Sequence, residues 1–150
     1  MKNKYYLVSL IFLCFLFSCS KDNVTAPSLS QEQILTSSVW KIDEIRFLQN
    51  NSQILYYKRG NTSGNTANFD TESIKFNSDN TGTYIAGGIT YTVTWSFVDA
   101  TKSKIAFTIS YPTPLVVNWE NIVYTETAIQ YTEYYNRSGN LSLGEATRKH

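Results

Sequence analysis

The chain has 150 residues, a formal net charge of +1, two cysteines and one histidine, His150, at its last position. That inventory leaves no material for a Ser-His-Asp triad, a His-based zinc centre or a His-driven acid–base pair, and the near-neutral charge provides no electrostatic footprint for nucleic acid. A length of this order suits one domain; Asn, Thr, Ser and Tyr are abundant and Ala is scarce, and β-branched and aromatic side chains favour strands because they pack well on a pleated surface.

In chain order, the first element is a targeting segment. Lys2 and Lys4 precede an apolar run from Tyr5 to Phe17, which Ser18, Cys19 and Ser20 end. The run is shorter than the roughly 20 residues needed to span a bilayer, so it reads as a secretory signal. Leu16-Phe17-Ser18-Cys19 resembles a bacterial lipobox, which implies cleavage before Cys19 and lipid attachment there, palmitate among the chains. Cys14 follows Leu13 and fits less well, because the peptidase requires a small residue before the cut. The alternative is an ordinary signal peptide cut elsewhere. Ser20-Lys21-Asp22-Asn23 is similar to the Lys-plus-acid address of Bacteroidetes lipoproteins. It implies an outer-membrane lipoprotein of the cell envelope, on the outer face if the address is read, although one acid stands where the pattern often has more. Residues 1–18 are thus expected to be a signal peptide, 19–30 a lipidated flexible tether and 31–150 the folded domain. Loss of Lys2 and Lys4 leaves 11 Lys and Arg against 12 Asp and Glu. No disulfide is expected, so the domain must be held by its core.

Ser30 and Gln33 have the spacing of a capping box and predict a helical turn over 30–36. Strands are predicted over 39–48, 53–58, 73–76, 83–85, 89–98, 104–110, 115–124 and 128–135. In the first, Trp40 and Ile42 share one phase and Ile45 and Phe47 the other, which predicts a bulge near Asp43 and Glu44; a short helix is the rival. Residues 59–70 read as a polar loop. The clearest strand alternates Ile89, Tyr91, Val93, Trp95 and Phe97 against Thr90, Thr92, Thr94 and Ser96. Val117, Trp119 and Val123 share a phase in the seventh strand, and Ile129, Tyr131, Glu133 and Tyr135 in the eighth. Eight strands joined by turns predict an all-β chain forming an up-and-down antiparallel barrel, which removes exposed edges. An immunoglobulin-like sandwich is the structural rival.

The order resembles the lipocalin-like proteins over roughly residues 34–136. Ser38-Val39-Trp40 sits where that family has Gly-x-Trp, and the hairpin Phe76-Asn77-Ser78-Asp79-Asn80-Thr81-Gly82-Thr83 is similar to a turn of small lipocalin-like Bacteroidetes lipoproteins, with Asn80 in place of Gly. The resemblance implies a calycin-type barrel binding a small hydrophobic ligand. It also implies a late arginine closing the base against Trp40, for which Arg137 is the candidate.

The expected ligand-binding residues are Trp95, Trp119, Tyr91, Tyr131 and Glu133. The aromatics either fill a narrow barrel or wall a pocket. Glu133 either bonds a ligand or a tyrosine hydroxyl, or reaches water at a strand end; a buried carboxylate is costly unless paired. Asp70, Glu72 and Asp79 lie near loops, but their spacing is not that of an EF-hand. Tyr56 and Tyr57 are candidates for a protein contact. The expectation is a monomeric, non-enzymatic binding protein with no cofactor, no metal and no nucleic-acid partner, attached to a membrane by its lipid. The alternative is an interaction module with a solid core that contacts an envelope protein or glycan through residues 49–70.

Overall fold

The computed structural model describes residues 28–50, 52–137 and 140–150, the side chains of 136, 137 and 140 excepted. The signal peptide, Cys14, Cys19 and most of the tether lie outside the described residues. Among the described residues one helix, α1 (Gln31–Ser37), precedes nine strands: β1 (Val39–Gln49), β2 (Ser52–Lys58), β3 (Ser73–Phe76), β4 (Thr81–Ala86), β5 (Ile89–Phe97), β6 (Ile105–Ile109), β7 (Leu115–Tyr124), β8 (Ala128–Arg137) and β9 (Asn140–Lys149).

The predicted capping box starts α1. Ser30 Oγ accepts from Gln33 N at 3.2 Å, and Gln33 Oε1 accepts from Ser30 N at 2.8 Å. Seven residues cannot sustain a helix alone; burial of Ile34 and Leu35 holds this one against the barrel. The Leu35 carbonyl near its C-terminus accepts from Trp40 Nε1 at 2.8 Å.

Every neighbouring pair of strands is antiparallel. β1 and β3 to β9 form a closed eight-strand ring, sealed where β1 meets β9 on one edge and β3 on the other. That closure rules out the sandwich. The ring's membership differs from the expectation in one respect. β2 pairs only with β1 and lies beside the ring, and β9, which was not predicted, completes it.

The predicted bulge is present: Ile42 faces Arg148 and Glu44 faces Thr147, leaving Asp43 as the extra residue. It returns Ile45 and Phe47 to the interior after Trp40 and Ile42, and all four are buried. A second bulge was not foreseen. Asn121, at φ 54°, interrupts the β7–β8 register. Beyond it Ile122 is buried and Val123 exposed, so Val123 does not share the phase of Trp119.

β1 touches β3 only through Val39 and Trp40, then diverges to pair with β2 from Glu44 onward. Residues 59–72 bridge that divergence. Arg59 N and Nε donate to the Asp43 and Ile42 carbonyls at 2.8 and 2.7 Å, and its Nη atoms reach the Asp70 and Phe69 carbonyls. The loop is therefore tied into the barrel wall.

Candidate functional site

The helix end of the barrel is filled. Trp119 stacks on Tyr131 at 4.0 Å between ring centroids and meets Phe76 and Phe107 edge-on at 5.5 and 5.2 Å. Trp95 meets Phe76 edge-on, and its Nε1 donates to both the Asn77 and Thr81 carbonyls at 3.0 Å. Trp95 thus fastens the 77–82 hairpin. Asn80 holds the left-handed conformation there, at φ 65°. Gly82 is obligatory for another reason: a Cβ would lie 2.3 Å from the Lys75 carbonyl oxygen.

Toward the other end, where β6 and β8 finish and β7 begins, a cavity of about 70 Å³ remains, partly open to solvent beside the half-exposed Leu115. Phe69, Tyr84, Phe107, Val117, Ile109 and Leu115 supply its apolar wall, and Glu72, Glu133, Tyr135 and Arg148 its polar one. Of the expected ligand residues only Glu133 lines it. Trp95, Trp119 and Tyr131 pack as core, with 5, 0 and 3% of their surface exposed. Tyr91 is half-buried against Tyr111, 4.4 Å away. Trp95 and Trp119 do not wall this cavity: both pack edge-on against Phe76 in the core, the filled-barrel reading of the two that the sequence left open.

Arg148, on β9, organises the polar wall. Its guanidinium grips Glu72 at 2.8 and 3.1 Å and donates to Tyr131 Oη at 2.8 Å and to the Trp40 carbonyl at 3.3 Å. It lies 5.1 Å from the Trp119 ring centroid. Burial opposes its charge, but Glu72, Tyr131 and Tyr135 together outweigh burial and raise its pKa well above the ordinary value. Closure by Arg137 is therefore corrected to Arg148. The backbone puts Arg137 at the far end of β8, beside Asn140, whereas Ala128 at the near end faces Lys149; about 30 Å of strand separates the two ends. His150 adds an edge contact to Trp40 at 5.3 Å.

Glu133 lies in the same wall without a cation of its own. Trp119 Nε1 donates to its Oε2 at 2.7 Å. Burial pushes its pKa up to about 7, against the moderating field of Arg148 and the Trp119 hydrogen bond. The Tyr135 hydroxyl is buried and close enough to Glu133 and Tyr131 to interact electrostatically with both, yet it makes no hydrogen bond of normal geometry. Burial and the Glu72 charge also raise the Tyr84 phenol above its ordinary value.

The acidic residues near loops separate into distinct roles. Asp79 accepts from Thr81 within its own turn, Asp70 accepts from Tyr57 Oη at 2.7 Å, and Glu72 is the buried partner of Arg148. Among the described residues no group of three His, Cys, Asp or Glu could hold a metal. Tyr57 is buried rather than exposed, and Tyr56 packs edge-on against Phe47 at 4.8 Å.

No protein-family model matches the chain, and no curated protein is significantly similar to it. A solved structure that superposes on it is the crystal structure of a DUF4847 family protein from Bacteroides vulgatus, with a TM-score of 0.45 and 12% identity, covering 78% of this chain and 96% of that one. A likeness of that degree supports no conclusion about function.

Proposed function

We propose that the protein is a cell-envelope binding protein, anchored by a lipid on Cys19, whose lipocalin-like barrel takes a small polar ligand, or the polar head of a larger one, in the cavity over Glu72, Glu133 and Arg148. The observation that carries this reading is a polar cavity with an unpartnered buried hydroxyl and an unpaired carboxyl inside an otherwise close-packed aromatic core. Buried polar groups are normally satisfied, and exceptions mark places where a ligand or water completes the set. The cavity is well below the ~300 Å³ at which drug-sized pockets begin. The ligand is accordingly small and polar, and the expectation of a hydrophobic ligand gives way to this one. Chemical-shift mapping tests the reading with small polar compounds and with a C16 fatty acid. Saturable shifts at Glu133, Tyr135 and Phe107 from a small polar compound support it; shifts there from the fatty acid alone would reject it.

A contact with another envelope protein is the second reading. It is favoured by exposed apolar side chains clustered at one end of the barrel's outer surface: Leu48 on β1, Leu143 on β9 and, opposite Leu143, Tyr134 on β8, with Leu141 beyond. The loop over residues 59–70 suits that role less well, since Arg59 binds it into the wall.

A further inference from the structure

We infer that the cavity is a cation site, built to receive an ammonium head group between the Glu133 carboxylate and the Tyr135 hydroxyl. The inference rests on the binding reading above and adds the class of ligand.

Charge balance within the cavity leads to this assignment. Arg148 is the cation of the polar wall, and four hydrogen bonds to Glu72, Tyr131 and the Trp40 carbonyl already occupy it. The Glu72–Arg148 pair is neutral as a unit. Glu133 is then the carboxyl without an ion-pair partner; Arg148 moderates its charge but is already matched by Glu72, so an ionised cavity is net negative and repels anions. The groups facing Glu133 are Tyr131 and Tyr135 on its own strand, the Trp119 indole on β7, Arg148 on β9 and Glu72 ahead of β3. The remaining titratable group in the cavity wall is Tyr84 on β4, and a phenol supplies no positive charge.

The remaining features also suit an ammonium. Its N–H groups need acceptors, and the Glu133 carboxylate and the Tyr135 oxygen, which has no hydrogen-bond partner of normal geometry, provide them. Phe107, Tyr84 and Phe69 present ring surface around the same space, and a cation over a ring face gains cation–π energy, more so when desolvated. A volume of about 70 Å³ exceeds the ~10–15 Å³ that one water requires and is enough for an ammonium bearing a short carbon stem. An ammonium must find Glu133 ionised, so its binding releases a proton wherever the empty site would hold one.

The test uses methylammonium chloride, ethanol and sodium acetate as cationic, neutral and anionic probes of similar size at matched ionic strength. The readouts on the full chain are the ¹³C shift of the Glu133 carboxyl and the indole N–H shift of Trp119. Methylammonium should shift both saturably, about tenfold more tightly at pH 8 than at pH 6 because Glu133 ionises between them. Glu133→Gln, whose amide oxygen still accepts from Trp119, should abolish the shift, and Tyr135→Phe should weaken it several-fold. An equal response to ethanol or acetate would overturn the cation assignment and leave a binding cavity. No saturable response to any probe would overturn both.

Discussion

Glu133 and Glu72 are both carboxyls of the barrel interior, and their partners separate them. For Glu133 the folded pKa, about 7, lies above the ordinary 4.5. Below pH 4.5 both folded and unfolded chains hold the proton, and the residue carries no penalty. As pH rises from 4.5 to 7 the unfolded chain releases it while the folded chain retains it, so stability falls; above pH 7 the full cost of a buried charge, about 3 kcal/mol, is present. Glu133→Gln should therefore leave urea denaturation nearly unchanged at pH 4 and raise stability at pH 8 by up to about 3 kcal/mol. Glu72 shows the opposite dependence on its partner. Arg148→Met leaves Glu72 buried and unpaired and should cost about 3–5 kcal/mol, whereas adding Glu72→Leu removes the stranded charge and should recover most of it. A double-mutant cycle measured by denaturant midpoints reads both.

At the scale of elements, β9 explains where sequence reasoning stopped. Its outward positions carry Leu141 and Leu143, and its inward ones Gly144, Ala146 and Arg148. That reverses the usual apolar-in alternation. Space is the reason: a Cβ on Gly144 would lie 3.0 Å from both the Phe47 and Tyr135 rings, which fill the volume that a larger side chain would use. Gly144→Ala should force those rings apart at a cost of about 1–3 kcal/mol, read as a lowered melting temperature with the β8–β9 hairpin most affected in hydrogen exchange. β5 and β6 were legible because one face is wet and the other apolar, and the β1 bulge because the phase of Trp40 and Ile42 differs from that of Ile45 and Phe47. The β7 bulge was not, since Asn121 looks like any polar strand residue until its left-handed backbone is known. The candidate site was half legible for the same reason. Glu133 stood out by sharing the phase of Tyr131 and Tyr135, but Arg148 belonged to the unpredicted strand, and Glu72 is brought to it only by barrel closure.

At the scale of the molecule, the helix end is a plug of tryptophan and phenylalanine, and the cavity lies in the opposite half. The described chain begins at residue 28, next to α1 and so at the plugged end. Cys19→Ser should move the protein from the membrane fraction to the soluble one and leave its melting temperature unchanged, by fractionation and calorimetry. Glu133 is a carboxyl without an ion-pair partner, held in a cavity of the barrel. The ¹³C titration of that carboxyl in the ligand-free protein is the decisive measurement. A midpoint near 7 is predicted; a midpoint in the ordinary carboxylate range, near 4.5, would contradict it.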